Sequence, residues 1–396
     1  MEGTGPGTGY NTLVSGSRPR VSTTVDGMSE SWNGQRYVDA SPWDVEQIEV
    51  LRGRNPPPGP QHHGRRHRGQ HQGPDLRLGR RAAAGYEDKD GKVTLAGMIS
   101  GPITDELAFR IAAEGLNGHS YVDYPGAMPW DASEVKHSSF RGKLLWKPSA
   151  LPGLTAKLTV SHRKNKGEYL NYVDGNYFDY QYHRLSTEAR YQDSFNNTVS
   201  TDLQYQFNDA WSAHLLLGHA DNVSAFKDSD TPAFGMRLDE KSNTAEARLA
   251  YAPQNGWISG MVGVYYYDRD QDMNASPRVA AKDKLKTEAL YGETTLALGD
   301  KWSLNLAAAR NARCSAATPR WGPDSATKLR PATTSAKPCS CQGRPELQVQ
   351  PVHHAGPVGA QGLQRRRFRP GQRQQVLHLQ QGTGHRLRAE QPFHLP

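Results

Sequence analysis

The sequence predicts an all-β protein whose centre is a partial transmembrane antiparallel β-barrel, preceded by a smaller α/β fragment and followed by a disordered C-terminal tail. Three observations carry the barrel. Residues 84–310 alternate apolar and polar side chains with period two, the mark of strands with one greasy and one wet face. Short turns alternate with long polar links, as in transmembrane barrels that have brief turns at one end and extended loops at the other. Trp211, Trp257 and Trp302 each follow a short turn, at the level of an aromatic girdle.

The elements follow in order. Gly5, Gly7 and Gly9 form a flexible start rather than a phosphate loop, since no strand precedes them and no dinucleotide fingerprint follows. Residues 21–28 and 47–51 read as short strands, the first carrying a turn at Asp26-Gly27. Beyond residue 84 the hairpins repeat. Residues 140–147 turn through 148–153 into Leu154, Ala156, Leu158 and Val160, and residues 199–207 turn at Asn208-Asp209 into a strand opened by Trp211. Residues 245–251 turn at 254–256, and residues 290–298 turn at Gly299-Asp300. This gives about ten strands, joined at the other end by polar links such as 221–243 and 268–284. A soluble antiparallel sandwich has the same alternation; the asymmetry of the links favours the barrel. No run of apolar residues is long enough for a transmembrane helix.

Charge is uneven. The chain has a net charge of +8 and a sequence pI near 9.3, which would suggest a nucleic-acid or membrane-surface partner. Residues 54–81, however, hold seven Arg and one Asp, and residues 311–396 hold thirteen Lys or Arg and three acids, so the remainder is net acidic. All seventeen Tyr lie outside these two segments, whereas nine of the fifteen His lie inside them. Cys314, Cys339 and Cys341 all fall in the tail, so they carry no information on redox compartment.

Residues 44–54 read DVEQIEVLRGR and residues 25–27 read VDG. Both resemble the plug domain of TonB-dependent outer-membrane receptors, in which a short strand ends in an LRG turn and a segment of the form GRN-x-x-GG-A leads into the next strand. Residues 55–81 instead read NPPPGPQHHGRRHRGQHQGPDLRLGRR, which has no strand pattern. The genetic code offers a test, because each adjacent residue pair restricts the codon formed by the last two bases of one codon and the first of the next. Residues 58–77 read this way permit QGRNT(M/T)GGAIVVNTKDPTF, the missing plug segment. Some positions admit more than one residue, but His62-His63 yields only Thr or Ile, and Gln70-His71 only Asn or Ser. Residues 341–368 similarly permit AKAALSYRFNQYTTLGLSVRKGYNAGG, and residues 375–395 permit KFYTYNKEQATGYELSNRST, both resembling barrel strands of these receptors.

The resemblance divides the chain into a plug fragment (1–83, with 55–81 out of frame), barrel strands (84–310) and an out-of-frame, disordered barrel continuation (311–396). It implies a gene for an outer-membrane receptor that takes up a siderophore or similar nutrient, damaged by frameshifts or by sequencing errors, whose product as written does not transport. The implied partners are the TonB complex, an iron-siderophore or similar nutrient, and outer-membrane lipid; no cofactor is implied. Met1 opens no signal peptide, since MEGTGPGTGYN has neither a basic start nor an apolar stretch, and the chain carries no TonB box. The alternatives are a truncated porin-like barrel in the outer membrane and, less favoured, a soluble basic nucleic-acid-binding protein.

The Tyr-rich stretch at residues 169–182 (YLNYVDGNYFDYQY) lies where an outer loop or strand extension should be. Tyr169, Tyr172, Tyr177, Tyr180 and Tyr182 are the candidate ligand contacts, a barrel girdle being the alternative. Cys339, Cys341, His353 and His354 fit no standard zinc spacing. The runs at 65–68 and 365–369 lack the aromatic platform or groove-reading helix of a specific nucleic-acid site. Nothing resembles a Ser-His-Asp, paired-carboxylate or HExxH constellation, so no enzyme is expected.

Overall fold

A computed structural model describes residues 22–38, 41–51, 66–88, 91–120, 122–123, 131, 133–169, 174–176, 181–183, 190–228, 235–276, 279–298, 302–321 and 345–353. The N-terminal part is a small mixed sheet with one helix, the α/β fragment. It contains β1 (Ser22–Val25), β2 (Met28–Ser29), α1 (Trp32–Tyr37), β3 (Val45–Leu51) and β4 (Arg66–His71), in the sheet order β2-β1-β4-β3. Asp26 and Gly27 both have positive φ, 49° and 89°, as a tight hairpin turn between β1 and β2 requires. Helix α1 is capped by Ser31, whose side chain accepts from the Gly34 N–H at 2.7 Å.

The second part is one antiparallel sheet of twelve strands. Its members are β5 (Gly79–Glu87), β6 (Lys92–Pro102), β7 (Leu107–His119), β9 (Glu134–Trp146), β10 (Leu154–Glu168), β13 (Arg190–Gln206), β14 (Trp211–Asp228), β15 (Gly235–Tyr251), β16 (Ile258–Ser276), β17 (Val279–Leu298), β18 (Trp302–Trp321) and β19 (Pro345–His353). A separate three-stranded sheet holds β8 (Val122–Asp123), β11 (Asp174–Asn176) and β12 (Gln181–His183). Among the described residues β5 and β19 are the two edges of the large sheet and do not pair with each other.

Register separates the two faces. Leu203, Leu215, Ala247, Val264 and Leu290 stand side by side across β13 to β17 and form part of an apolar belt on the convex side. Four residues further along the strands, about 13 Å, the corresponding row is Val199, His219, Asn243, Asp268 and Lys286. The belt therefore has an upper limit. At the other end, beside the short turns, Tyr205 packs on Phe207 and Trp211 on Tyr251, with ring centroids 4.9 and 4.8 Å apart. Trp146 and Trp257 are exposed at the same end, which is the girdle expected there.

Three expectations need correction. Residues 221–243 and 268–284, expected as long polar links, are mostly strand: β14 continues to Asp228, β15 starts at Gly235, β16 runs to Ser276 and β17 starts at Val279. These strands have 17 to 20 residues, against about 9–11 needed to cross a bilayer. Charge complementarity holds the extensions, with Lys282 on Asp272 at 3.2 Å and Lys284 on Asp270 at 3.1 Å as directly opposed pairs.

The second correction concerns the segment expected to have no strand. β4 fills the space between β1, to which it is parallel, and β3, to which it is antiparallel. A ladder needs extended backbone with free donors and acceptors, and Arg, His, Gly and Gln supply these as well as β-branched residues do. The third is the tail. β18 continues to Trp321, and residues 345–353 pair with its first half as β19, because an open edge accepts an extended segment with little regard to its side chains. Residues 354–396 lie outside the described residues.

Candidate functional site

Alternation along β7, β9 and β10 places Arg110, Arg141, Lys143 and Arg163 on the concave face of the wall, between apolar neighbours such as Phe109, Ile111, Phe140 and Leu144 that point outward. The N-terminal fragment sits against this face and presents three carboxylates. Asp44 receives Arg110 in a two-pronged pair, Nε donating to Oδ2 at 2.8 Å and Nη2 to Oδ1, and Arg110 also donates to the Gln72 Oε1 at 2.9 Å. Glu30 accepts from the Arg163 Nη2 at 2.6 Å. Asp26 accepts from the Lys143 Nζ at 3.2 Å and from the His71 backbone N–H at 2.9 Å, with the His71 Nδ1 3.1 Å from its second oxygen. Lys143 also donates to the His71 carbonyl at 3.0 Å.

These are buried pairs, Asp44 and Arg110 being 3% and 5% exposed. Burial alone would raise the Asp26 carboxyl, but the His71 hydrogen bond and the Lys143 charge outweigh it and hold the group well below the usual Asp range. Burial pushes His71 down, aided by the charges of Arg141 and Lys143, and exceeds the upward pull of Asp26. Asp44 has a φ of 61°, a left-handed conformation that Asp tolerates better than most residues, and its place in the Arg110 pair fixes it there.

The opposite wall holds the fragment with hydrogen bonds and close packing. Asn33, in the first turn of α1, donates to the Glu240 Oε2 at 2.8 Å and to the Gln271 Oε1 at 3.3 Å. Ser29 and Tyr265 share a hydrogen bond at 3.2 Å. Met28 lies over Gly218, where an added Cβ would stand 2.5 Å from its sulfur. Gly263 faces Tyr291, whose ring crosses the glycine so closely that any Cβ there would collide with it.

Above this seat, toward the long strand extensions, Tyr37 from the end of α1 meets Phe226 of β14 at 4.8 Å and Tyr169, just past β10, at 5.7 Å; Tyr169 and Phe226 are 4.5 Å apart. Leu238, Met273 and Ala281 complete the cluster. Of the candidate ligand contacts, Tyr169 is thus engaged between fragment and wall. Tyr182 lies in β12, its backbone opposite Gly175 and Val122. Tyr172, Tyr177 and Tyr180 fall outside the described residues. Reading the sequence alone missed Asp26, Glu30, Asp44, Arg110, Lys143, Arg163, Tyr37 and Phe226, since nothing local distinguishes an inward Arg with a plug partner from any wet-face residue.

No group of three or more His, Cys, Asp or Glu able to hold a metal occurs among the described residues. Cys339, Cys341 and His354 lie outside them, and His353 ends β19, opposite Trp302.

A long-stranded antiparallel wall with a small mixed domain seated on its concave face is the architecture of a plugged β-barrel. Among the solved structures it is similar to are receptors that take up ferric chelates. The ferric yersiniabactin uptake receptor FyuA from Yersinia pestis matches with a TM-score of 0.63 and 15% identity, over 85% of this chain and 52% of that one. FpvA from P. aeruginosa, solved with heterologous pyoverdines, matches with a TM-score of 0.61 and 15% identity, over 85% and 48%. The ferric-catecholate import receptor Fiu from E. coli K12, in its open form, gives 0.61 and 12%, over 84% and 59%. The chain spans about half the length of the receptors it matches. At these identities the likeness establishes the fold, and no protein-family model matches the sequence.

Proposed function

We propose that the chain derives from a TonB-dependent outer-membrane receptor for a siderophore or similar nutrient, and that as written it is a remnant without transport. The seating of the plug carries this reading. Asp26, Glu30 and Asp44, all in the undamaged part of the plug, meet Lys143, Arg163 and Arg110 of the wall. Such matching across the lumen serves a protein that holds a plug inside its barrel. A porin-like barrel has no use for it, and a soluble basic protein does not account for the apolar belt on the convex face. Tyr169 and the tyrosines that follow it would contact ligand at the outer mouth; TonB would act on residues upstream of the plug, and lipid would surround the belt. The solved neighbours are uptake receptors, which favours a non-enzymatic role.

The test is nucleotide sequencing across codons 50–85 and 305–345, followed by expression of the frame-restored gene in a strain lacking its own siderophore receptors. Growth on ferric siderophores as sole iron source, dependent on TonB, is the expected result. An unrestorable frame, or a restored protein that reaches the outer membrane and supports uptake of none of a broad siderophore panel, overturns it.

A further inference from the structure

The plug seat leaves one charge over. Arg141 lies on the inner face of β9 and is 6% exposed. Asp26 and Asp44 attract it, as does Glu114 of β7, while Arg163 and Arg110 repel it, yet among the described residues no carboxylate stands within ion-pair distance. The nearest plug acids are already engaged, Asp44 through both oxygens by Arg110 and Asp26 by His71 and Lys143. A guanidinium has five N–H donors, and a buried charge with no partner is strongly unfavourable.

We propose that Arg141 anchors a binding site for a small oxyanion in the seam between the plug and β7–β10. In the cross-strand row of Arg141 the next two residues are Ser161 and Thr198, whose hydroxyls share a single hydrogen bond at 2.6 Å. One O–H of that pair is therefore left to donate. On the other side of Arg141, two positions beyond its β7 neighbour Ala112, Glu114 has an oxygen without a partner. A ligand that carries a hydroxyl next to its acid group satisfies both sides, which favours a hydroxycarboxylate over a bare anion. The fork of Arg141 takes the carboxylate, Ser161 or Thr198 adds a donor, and Glu114 accepts from the hydroxyl.

The site's use in import rests on the receptor reading; oxyanion binding does not. The test is calorimetric titration of the full chain, folded in detergent, with citrate and with inorganic phosphate at ionic strength matched by sodium chloride. Saturable binding of citrate, tighter than of phosphate, is the expected result, with Arg141→Gln weakening it at least tenfold and the exposed control Arg237→Gln leaving it unchanged. Should Arg141→Gln not fold, Arg141→Lys keeps the charge but removes the fork, and a loss of severalfold is expected. No saturable heat from either anion, or unaltered affinity in the folded Arg141 variants, overturns the site. Intact binding with no uptake by the frame-restored gene sinks the receptor reading alone.

Discussion

Asp44 and Arg110, sixty-six residues apart in sequence, form a buried two-pronged ion pair that joins the plug to the barrel wall. Neither charge has water to return to while the plug is seated. Breaking such a pair from one side leaves the other buried and uncompensated, at a cost of about 3–5 kcal/mol. Arg110→Ala and Asp44→Ala are each expected to release the plug, seen as faster proteolysis of residues 22–71 with the wall still resistant. The exchange Asp44→Arg with Arg110→Asp should recover part of the protection. Equal protection in the wild type and both single variants would remove the pair from the account of plug seating.

Acid should loosen the plug from the side of β4. Both Asp26 and His71 are held below their ordinary values, so the unfolded chain binds more protons than the folded one, and stability is lost as pH falls. The loss begins near pH 6.5, where a free His takes up its proton, and deepens below about pH 4, where a free Asp does. Urea midpoints of plug release measured between pH 8 and 3 should show both phases. His71→Gln should flatten the upper one. A midpoint that rises on acidification would contradict the sign.

Depth on the convex face should decide the cost of an added charge. Val264→Arg, in the middle of the apolar belt, is expected to cost about 2–4 kcal/mol in a bilayer, and Asn243→Arg, above it, close to nothing. Unfolding titrations in lipid vesicles measure both. Similar costs at the two positions would mean that the belt does not face lipid.

Gly218 should tolerate a methyl group at a cost and nothing larger. Its neighbour Met28 is flexible and can give way to a methyl group, so Gly218→Ala is expected to destabilise the seated plug by about 1–3 kcal/mol. Gly218→Phe should exclude the plug, with partial rescue by Met28→Ala. Protease protection of residues 22–38 reads the outcome.

Much of the wall was legible in the sequence because its period is local. Leu203 and Leu215 alternate with Gln204 and His214, and the pattern alone says strand, face and turn. The lengths of β14 to β17 were not legible in the same way: above the belt the outer face turns polar and the inner face mixes Phe226, Leu238 and Met273 with Asn222, Glu240 and Gln271, so the period blurs, and the Asp–Lys matching across β16 and β17 marks a paired extension. The partners of Asp26, Glu30 and Asp44 were out of reach for a different reason, since each is set by the closure of a lumen from distant strands. β4 is a further case. Its residues, RHRGQH, carry no strand signal, so the space between β1 and β3 and not the local pattern placed a strand there.

The plug seat also bears on time. Its three acids lie at residues 26–44, before the segment 55–81, its three bases at residues 110–163, after it, and every acid finds its base. A locus released from selection loses such correspondences one substitution at a time, and losing one is enough to leave a stranded charge. Under the frameshifted reading proposed above, six side chains still matched on either side of residues 55–81 place the damage late on an evolutionary scale, or in the recorded bases.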